Sequence, residues 1–376
     1  MKTIPLFKVA MSETVRHTVP DVLQCGFIGE GLKVKEFEAA LSERVNNPYC
    51  LALSSGTHGL TLALRLINKQ KGSWGRVSNA NVISTPLTCF ASNAPIITGG
   101  YNIVWADIQK DSLNIDPSSI REKITNETKA IVVVHWGGYP CDMDEIKKIS
   151  DDYGISVIED GAHAFGSFYK GYSIGSCSHS DFCMISFQAI KHLTCGDGGV
   201  LFSNNLESHI RGRHLRWFGI NRESSLQDMR CREDILEAGF KFHMNDICAT
   251  IGLSNLLIVD ENLRIAKRNS DYYKEAMSGL SEILPIQNKT DRVSSNWLFT
   301  VLVEDRTGFA RKMGEKGIMV SQVHSRNDKH ICTEAYADNF LPVMDEIDSK
   351  YCCIPVGWWV SKEDREYIVS TIREGW

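Results

Sequence analysis

The feature that most constrains this chain is an alternation. Between about residues 49 and 203, short β-branched runs are separated by helical patterns. The runs are Tyr49-Cys-Leu-Ala-Leu53, Asn81-Val-Ile-Ser-Thr85, Ile103-Val-Trp105, Ala130 to His135, Ser156-Val-Ile-Glu159, Asp181 to Ser186 and Gly199-Val-Leu-Phe202. A strand followed by a helix usually returns parallel to its neighbour, and a parallel sheet is covered on both faces, so its strands read as continuous apolar runs. The expected fold class is therefore α/β, a mostly parallel seven-stranded sheet with helices on both sides. With 376 residues the chain is long for one domain. Residues 245–280 carry a long helical pattern, after which the character changes. Trp297 to Val303, a helix ending near Gly317, Ile318-Met-Val320 and a last helix from Ser361 outline a smaller C-terminal α+β unit. The expected division is a large domain over 1–255 and a small one over 256–376, with the N-terminal segment able to pack on the small domain.

Charge and hydropathy exclude several classes. Lys and Arg number 41 against 46 Asp and Glu, a net charge of −5, and no basic tract is present to gather phosphate backbones. Nucleic acid is not an expected partner. The longest clean apolar stretches, such as Ala130-Ile-Val-Val-Val134, fall far short of the roughly twenty residues a bilayer span needs. The first residues lack the apolar core and cleavage site of a secretory signal, which predicts a cytoplasmic protein. None of the twelve cysteines forms a C-x-x-C pair, so they read as small buried hydrophobes or incidental thiols. His135, His163, His179 and His192 lack a short ligand spacing on one element, so no metal centre is expected. Gly171-Tyr-Ser-Ile-Gly175 fits the G-x-S-x-G pattern of serine hydrolases, but it lies in a turn before a strand, whereas a nucleophile elbow follows a strand and opens a helix.

In an open parallel sheet, ligands collect beyond the carboxyl ends of the strands. After the first run comes Ser54-Ser-Gly-Thr-His-Gly59, which places a glycine-bearing turn at a helix start. Free N–H groups there suit a phosphate, although a simple helix cap would read the same way. After the fifth run, Glu159-Asp160-Gly-Ala-His163 puts a carboxylate at a strand end, where it would cap a helix or hold a protonated ring nitrogen. After the sixth comes Ser186-Phe-Gln-Ala-Ile-Lys191-His-Leu-Thr-Cys-Gly-Asp-Gly-Gly199. A lysine in such a loop has the layout for covalent capture of an aldehyde, provided that desolvation lowers its pKa; a solvated surface lysine would be inert.

Together these stretches resemble the sugar aminotransferases of the DegT/DnrJ/EryC1/StrS family, whose fold is the aspartate-aminotransferase type (fold type I) of pyridoxal-phosphate enzymes. The resemblance runs through Gly26-Phe-Ile-Gly-Glu-Gly31, Val34-Lys-Glu-Phe37, the Ser54–Leu60 turn, Pro86-Leu-Thr-Cys-Phe-Ala-Ser-Asn93, Leu113-Asn-Ile-Asp-Pro117 and His135 to Asp144, then the two strand-end motifs. It implies pyridoxal 5'-phosphate as cofactor, with Lys191 carrying it as a Schiff base and Asp160 pairing with its ring nitrogen. Phe90 would stack on the ring and His163 would lie near the ring hydroxyl. Gly56, Thr57 and His58, by backbone or hydroxyl, and Ser186 would hold the phosphate.

Gly239 to Leu253 resembles the segment through which one subunit of a homodimer reaches the other's cofactor phosphate, with Lys241 where the family has asparagine and His243 where it has arginine. The active sites would thus be shared between subunits. The implied activity is transfer of an amino group from L-glutamate to a sugar carbonyl, first of all a nucleotide-linked keto-deoxysugar for cell-surface polysaccharide. The runner-up acceptors are a free oxidised sugar acid of the 8-oxo-octulosonate type, for lipopolysaccharide, or a small phosphorylated ketone. A dehydratase branch of the family has histidine at the Schiff-base position, where this chain has Lys191.

Overall fold

The computed structural model describes residues 3–68, 79–222, 234–337 and 340–376. Seven strands form the main sheet: β1 (Cys50–Leu53), β2 (Asn81–Ser84), β3 (Asn102–Trp105), β4 (Thr128–Val134), β5 (Ser156–Asp160), β6 (Phe182–Ser186) and β7 (Gly199–Ser203). Their order across the sheet is β1-β7-β6-β5-β4-β2-β3. Each apolar run of the sequence became one of these strands, with ends displaced by a residue or two. Side chains alternate between two cores, Ile83, Ile131, Val133, Val157 and Ile185 on one face and Val82, Val132, Ile158 and Met184 on the other. Burying each such side chain contributes about 1.5–3 kcal/mol, which is why both faces must be covered.

Pairing from β3 through β2, β4 and β5 to β6 is parallel, and only β7 runs against its neighbours β6 and β1. The reason lies in residues 187–198. They form no crossover helix and fold back on themselves, Phe187 N–H donating to the Gly198 carbonyl (2.9 Å) and Cys195 N–H to that of Phe187 (3.0 Å). A connection returned in that way can only deliver an antiparallel strand. It also leaves Lys191 in a loop held at both ends by the sheet.

The second unit is a three-stranded antiparallel sheet of β8 (Ile283–Pro285), β9 (Phe299–Val303) and β10 (Tyr351–Ile354), with β9 central. Its core contains Phe299, Val301, Phe309, Cys352, Ile354 and Ile368, together with Ile4 from the N-terminal segment. Ile318-Met-Val320 makes no strand: Ile318 bridges Ile4 and Ser321 bridges Cys353. Of the helices, α1 (Gly56–Ile67) and α2 (Phe90–Thr98) follow β1 and β2, and α3 spans Asp246–Ala276. Residue 255, the expected domain boundary, lies inside α3. Ala249 and Val259 of this helix enter a core of the main sheet, and Tyr273 enters that of the small one. Among the described residues no helix is long and apolar enough to cross a membrane, and the cysteines are all free thiols.

Candidate active site

The start of α1 is shaped by close backbone approach. Ser55 is extended, and its Oγ accepts from the His58 N–H at 3.2 Å, capping the helix. A Cβ on Gly56 would fall 2.9 Å from Met184 Sδ and 3.0 Å from Ser186 Cβ, and one on Gly199 would fall 2.5 Å from the Gly56 backbone nitrogen. Glycine at both places lets the helix N-terminus lie against β6 and β7, so that the amides of Gly56 and Thr57 and the hydroxyl of Ser186 border one space. Gly199→Ala is expected to push this terminus off the sheet, lowering stability by about 1–3 kcal/mol and weakening retention of a phosphate-bearing ligand. Thermal melts with and without that ligand check it; unchanged melting in both states would contradict the packing argument.

Asp160 ends β5 and is 2% exposed. Its Oδ2 accepts from Ser92 Oγ (2.6 Å) and its Oδ1 from the Ala162 N–H (3.0 Å). Burial nevertheless raises its pKa above the usual carboxylate value, the hydrogen bonds and the Lys191 charge offsetting part of the effect. Below it, His135 and Glu159 are fully buried with a 2.8 Å Nε2–Oε2 contact, Ser180 donates to the other Glu159 oxygen, and the His135 N–H donates to the Asp160 carbonyl at 3.2 Å. That pair braces the strand end from the opposite face.

Lys191 follows in the loop after β6. Burial lowers its amine from 10.5 to about 8, partly opposed by the Asp160 charge. The Nζ sits 3.6 Å from the centroid of the Trp297 ring. His163 stacks on the same indole at 3.9 Å and accepts the Gly137 N–H on Nδ1 (3.3 Å). Burial holds this imidazole neutral, so its proton resides on Nε2, available as a donor.

One cavity of about 480 Å³ is lined by Gly56, Thr57, Asp160, His163, Ser186 and Lys191. Three other residues named from sequence are not among its lining. The His58 ring turns away to stack on Phe242 at 3.9 Å, with Nδ1 2.8 Å from Ser54 Oγ, and its N–H is engaged by the Ser55 cap. Phe90 packs edge-on against His330 with centroids 5.4 Å apart, leaving Thr88, Cys89, Ala91 and Ser92 of the same turn to face the cavity. Lys241 is exposed and pairs through its backbone with Trp217. Sequence reasoning passed over Ser92, although it lies within the Pro86–Asn93 stretch. It also missed Phe7, Trp297, Val323 and His324, which reach the cavity from outside the main sheet.

These residues fit pyridoxal phosphate. Gly56 leaves a cradle that a Cβ would fill, the carboxyl at 160 is buried without a cation bonded to it, and the amine at 191 is lowered toward neutrality. Among the described residues no cluster of His, Cys, Asp or Glu is placed to hold a metal ion.

The chain has known relatives in both sequence and fold. The model of the DegT/DnrJ/EryC1/StrS aminotransferase family matches residues 9–373. The chain is 42% identical to AtS13 from Actinomadura melliaura, with TM-score 0.94 over all of both chains. It is 37% identical to the sugar aminotransferase CalS13 from Micromonospora echinospora, with TM-score 0.93 over 99% of this chain and 100% of that one. An uncharacterised protein of Methanocaldococcus jannaschii is 32% identical over 329 residues, 85% of this chain and 82% of its own length. With the family matched over nearly its whole length and the cofactor's cradle in place, the chain belongs to the DegT/DnrJ/EryC1/StrS family and is a pyridoxal-phosphate-dependent aminotransferase.

Proposed function

We propose that the enzyme transfers an amino group from L-glutamate to the carbonyl of a sugar, with a nucleotide-linked keto-deoxysugar for cell-surface polysaccharide as the acceptor. The observation that carries this reading is the composition of the one cavity into which Lys191 and Asp160 open. Its remaining wall combines the rings of Phe7 and Trp297 and the polar side chains of Thr88 and Gln188 with apolar residues such as Leu60 and Val323. Uncharged polar groups and aromatic faces suit a polyol ring. The description of CalS13 as a sugar aminotransferase supports the same class.

In this reading each residue has a defined task. Gly56 and Thr57 amides and the Ser186 hydroxyl bind the cofactor phosphate, aided by the first-turn dipole of α1. Asp160 keeps the ring nitrogen protonated, and His163 donates from Nε2 to the ring hydroxyl. Pyridoxal phosphate supplies the electron sink for the carbanion formed during transfer. Lys191 anchors the cofactor and moves the proton to and from the substrate carbon through Nζ. Lys241, exposed and away from its own cavity, would meet the phosphate of a second subunit in a homodimer with shared sites.

The test is to prepare the pyridoxamine form and offer it nucleotide-linked ketosugars, oxidised sugar acids and phosphorylated ketones, following return of the lysine-bound spectrum. A response confined to the first class is the expected result. A working glutamate half-reaction with no sugar acceptor would overturn the sugar assignment while leaving the transaminase intact.

A further inference from the structure

The turn between β2 and α2, residues 85–89, is fastened from a distant part of the chain. The Asn327 N–H donates to the Pro86 carbonyl at 2.7 Å, and Leu87 forms an antiparallel bridge with Arg326. Beside this seam lies a pair of buried side-chain amides. Asn93 donates through Nδ2 to Asn327 Oδ1 (2.8 Å) and to the Thr85 carbonyl (3.1 Å), and its own Oδ1 accepts from Ser84 Oγ at 2.6 Å. Asn327 in turn donates from Nδ2 to the carbonyls of Thr88 (2.9 Å) and Ser325 (3.1 Å). Every side-chain N–H of the two amides is thus used. Neither can rotate without stranding a buried donor, which costs more than one hydrogen bond contributes. Asn327 is itself held. Arg326 forks onto Asp328 (2.8 and 2.7 Å), and Ser321 exchanges backbone hydrogen bonds with Cys353 of β10, which ties the loop to the small sheet.

What the seam fixes is the start of a hydrogen-bond chain that ends on Asp160. Ser92 donates its only hydroxyl proton to Asp160 Oδ2, so in the 2.8 Å contact between Thr88 Oγ1 and Ser92 Oγ the donor is Thr88. Both hydroxyl dipoles therefore point toward the carboxylate, and each bond polarises the next. The other oxygen, Oδ1, takes the Ala162 N–H. With a donor on each oxygen the carboxylate is held in one orientation, and each oxygen retains a lone pair. Thr88 is the outermost member of the chain, and its backbone carbonyl is the atom that Asn327 grips. Asn327 itself is not among the residues lining the cavity.

We propose that Asn327 and Thr88 are positioning residues for transamination: Asn327 sets the Thr88 backbone, Thr88 orients the Ser92 hydroxyl, and Ser92 holds Asp160 as the anion that pairs with the cofactor's ring nitrogen. This inference rests on the reading of Asp160 as the partner of that nitrogen and is independent of which sugar accepts the amino group. A loop contact serving only to stabilise the fold would leave the electronic state of the ring untouched. The ordered chain carries the effect of residue 327, outside the cavity, to the ring itself.

The holoenzyme is to be loaded with pyridoxal phosphate carrying a nitrogen-15 label in the ring, whose NMR shift reports protonation of that nitrogen without turnover. Asp160→Asn is expected to move the signal toward the unprotonated position. Thr88→Val, which removes the hydroxyl at nearly constant shape, should move it the same way by a smaller amount and lower kcat with L-glutamate about tenfold. Thr88→Ser should recover most of both changes. Asn327→Ala should act as Thr88→Val does, yet cost little further rate when added to Asp160→Asn, because the group it serves is then already lost. A signal that responds to Asp160→Asn but not to Thr88→Val or Asn327→Ala would overturn the positioning role and leave Asp160 its own. A signal indifferent to Asp160→Asn would overturn both readings together. Rate losses that multiply in the double variant would show that Asn327 acts by some route other than the carboxylate and would overturn the inference. Should Asn327→Ala fail to fold, Asn327→Asp, which keeps the shape and removes the donors to Thr88 and Ser325, takes its place.

Discussion

Lys191→Ala is expected to lower transamination by roughly four orders of magnitude or more while the fold persists, because it removes both the covalent anchor and the proton carrier. The visible absorbance of the lysine-bound cofactor should vanish with it. The environment of the amine adds a pH signature. Burial sets it at about 8 rather than 10.5, so the neutral, nucleophilic fraction grows as pH rises through about 8. Capture of pyridoxal phosphate by the cofactor-free wild type should accelerate from pH 7 to 9 and level off above, measured by stopped-flow absorbance.

The same displacement has a stability consequence. A lysine whose folded pKa is depressed binds its proton less readily than in the unfolded chain, so wild-type stability should rise with pH between about 8 and 10.5. At neutral pH that amine costs at most about 3 kcal/mol, a cost the alanine variant escapes in exchange for some lost packing. Cofactor-free Lys191→Ala should therefore melt no lower than wild type at pH 7 and lack the rise above pH 8. A variant that kept wild-type turnover, or a capture rate independent of pH across this window, would show that another group does this work.

How much of this was legible in the sequence depended on whether a feature is local. A strand buried on both faces announces itself as an unbroken apolar run, and all seven were visible. The direction of β7 was not, because such a run carries no sign; direction was set by the fold-back of residues 187–198. A motif likewise fixes where a backbone passes, but not which of its side chains face the ligand. Helical residues advance by about 100° each, so in α1 Gly56 and Thr57 border the cavity while His58, one step further, is drawn to Phe242. The same rotation at the start of α2 turns Phe90 out and brings Ser92 onto Asp160. Phe7, Trp297 and His324 lie outside the motifs they complete and far from them along the chain, and only tertiary packing unites them. The helical pattern of α3 continues past residue 255 because one helix serves two cores, which leaves no local mark of a boundary.

Asp160→Asn isolates the electronic role of the carboxylate from its structural one. The amide has nearly the same shape, and its carbonyl can keep the Ala162 N–H that Oδ1 now accepts at 3.0 Å. Ser92, whose Oγ lies 2.8 Å from Thr88 Oγ1, can donate there instead and accept from the new amide. Folding and cofactor binding should thus survive. What is lost is the negative charge that keeps the ring nitrogen protonated, and the rate should fall by about two to four orders of magnitude. Burial raises the folded pKa of Asp160, so the native state holds this proton more tightly than the unfolded chain does. Stability of the cofactor-free wild type should accordingly fall as pH rises from the ordinary carboxylate value through the raised one, and Asp160→Asn should lack that fall. Adding pyridoxal phosphate supplies a cation to the buried carboxylate, so the wild type should gain more in melting temperature on loading than the asparagine variant does. Equal gains together with undiminished turnover would mean that the ring nitrogen takes its proton from some group other than Asp160.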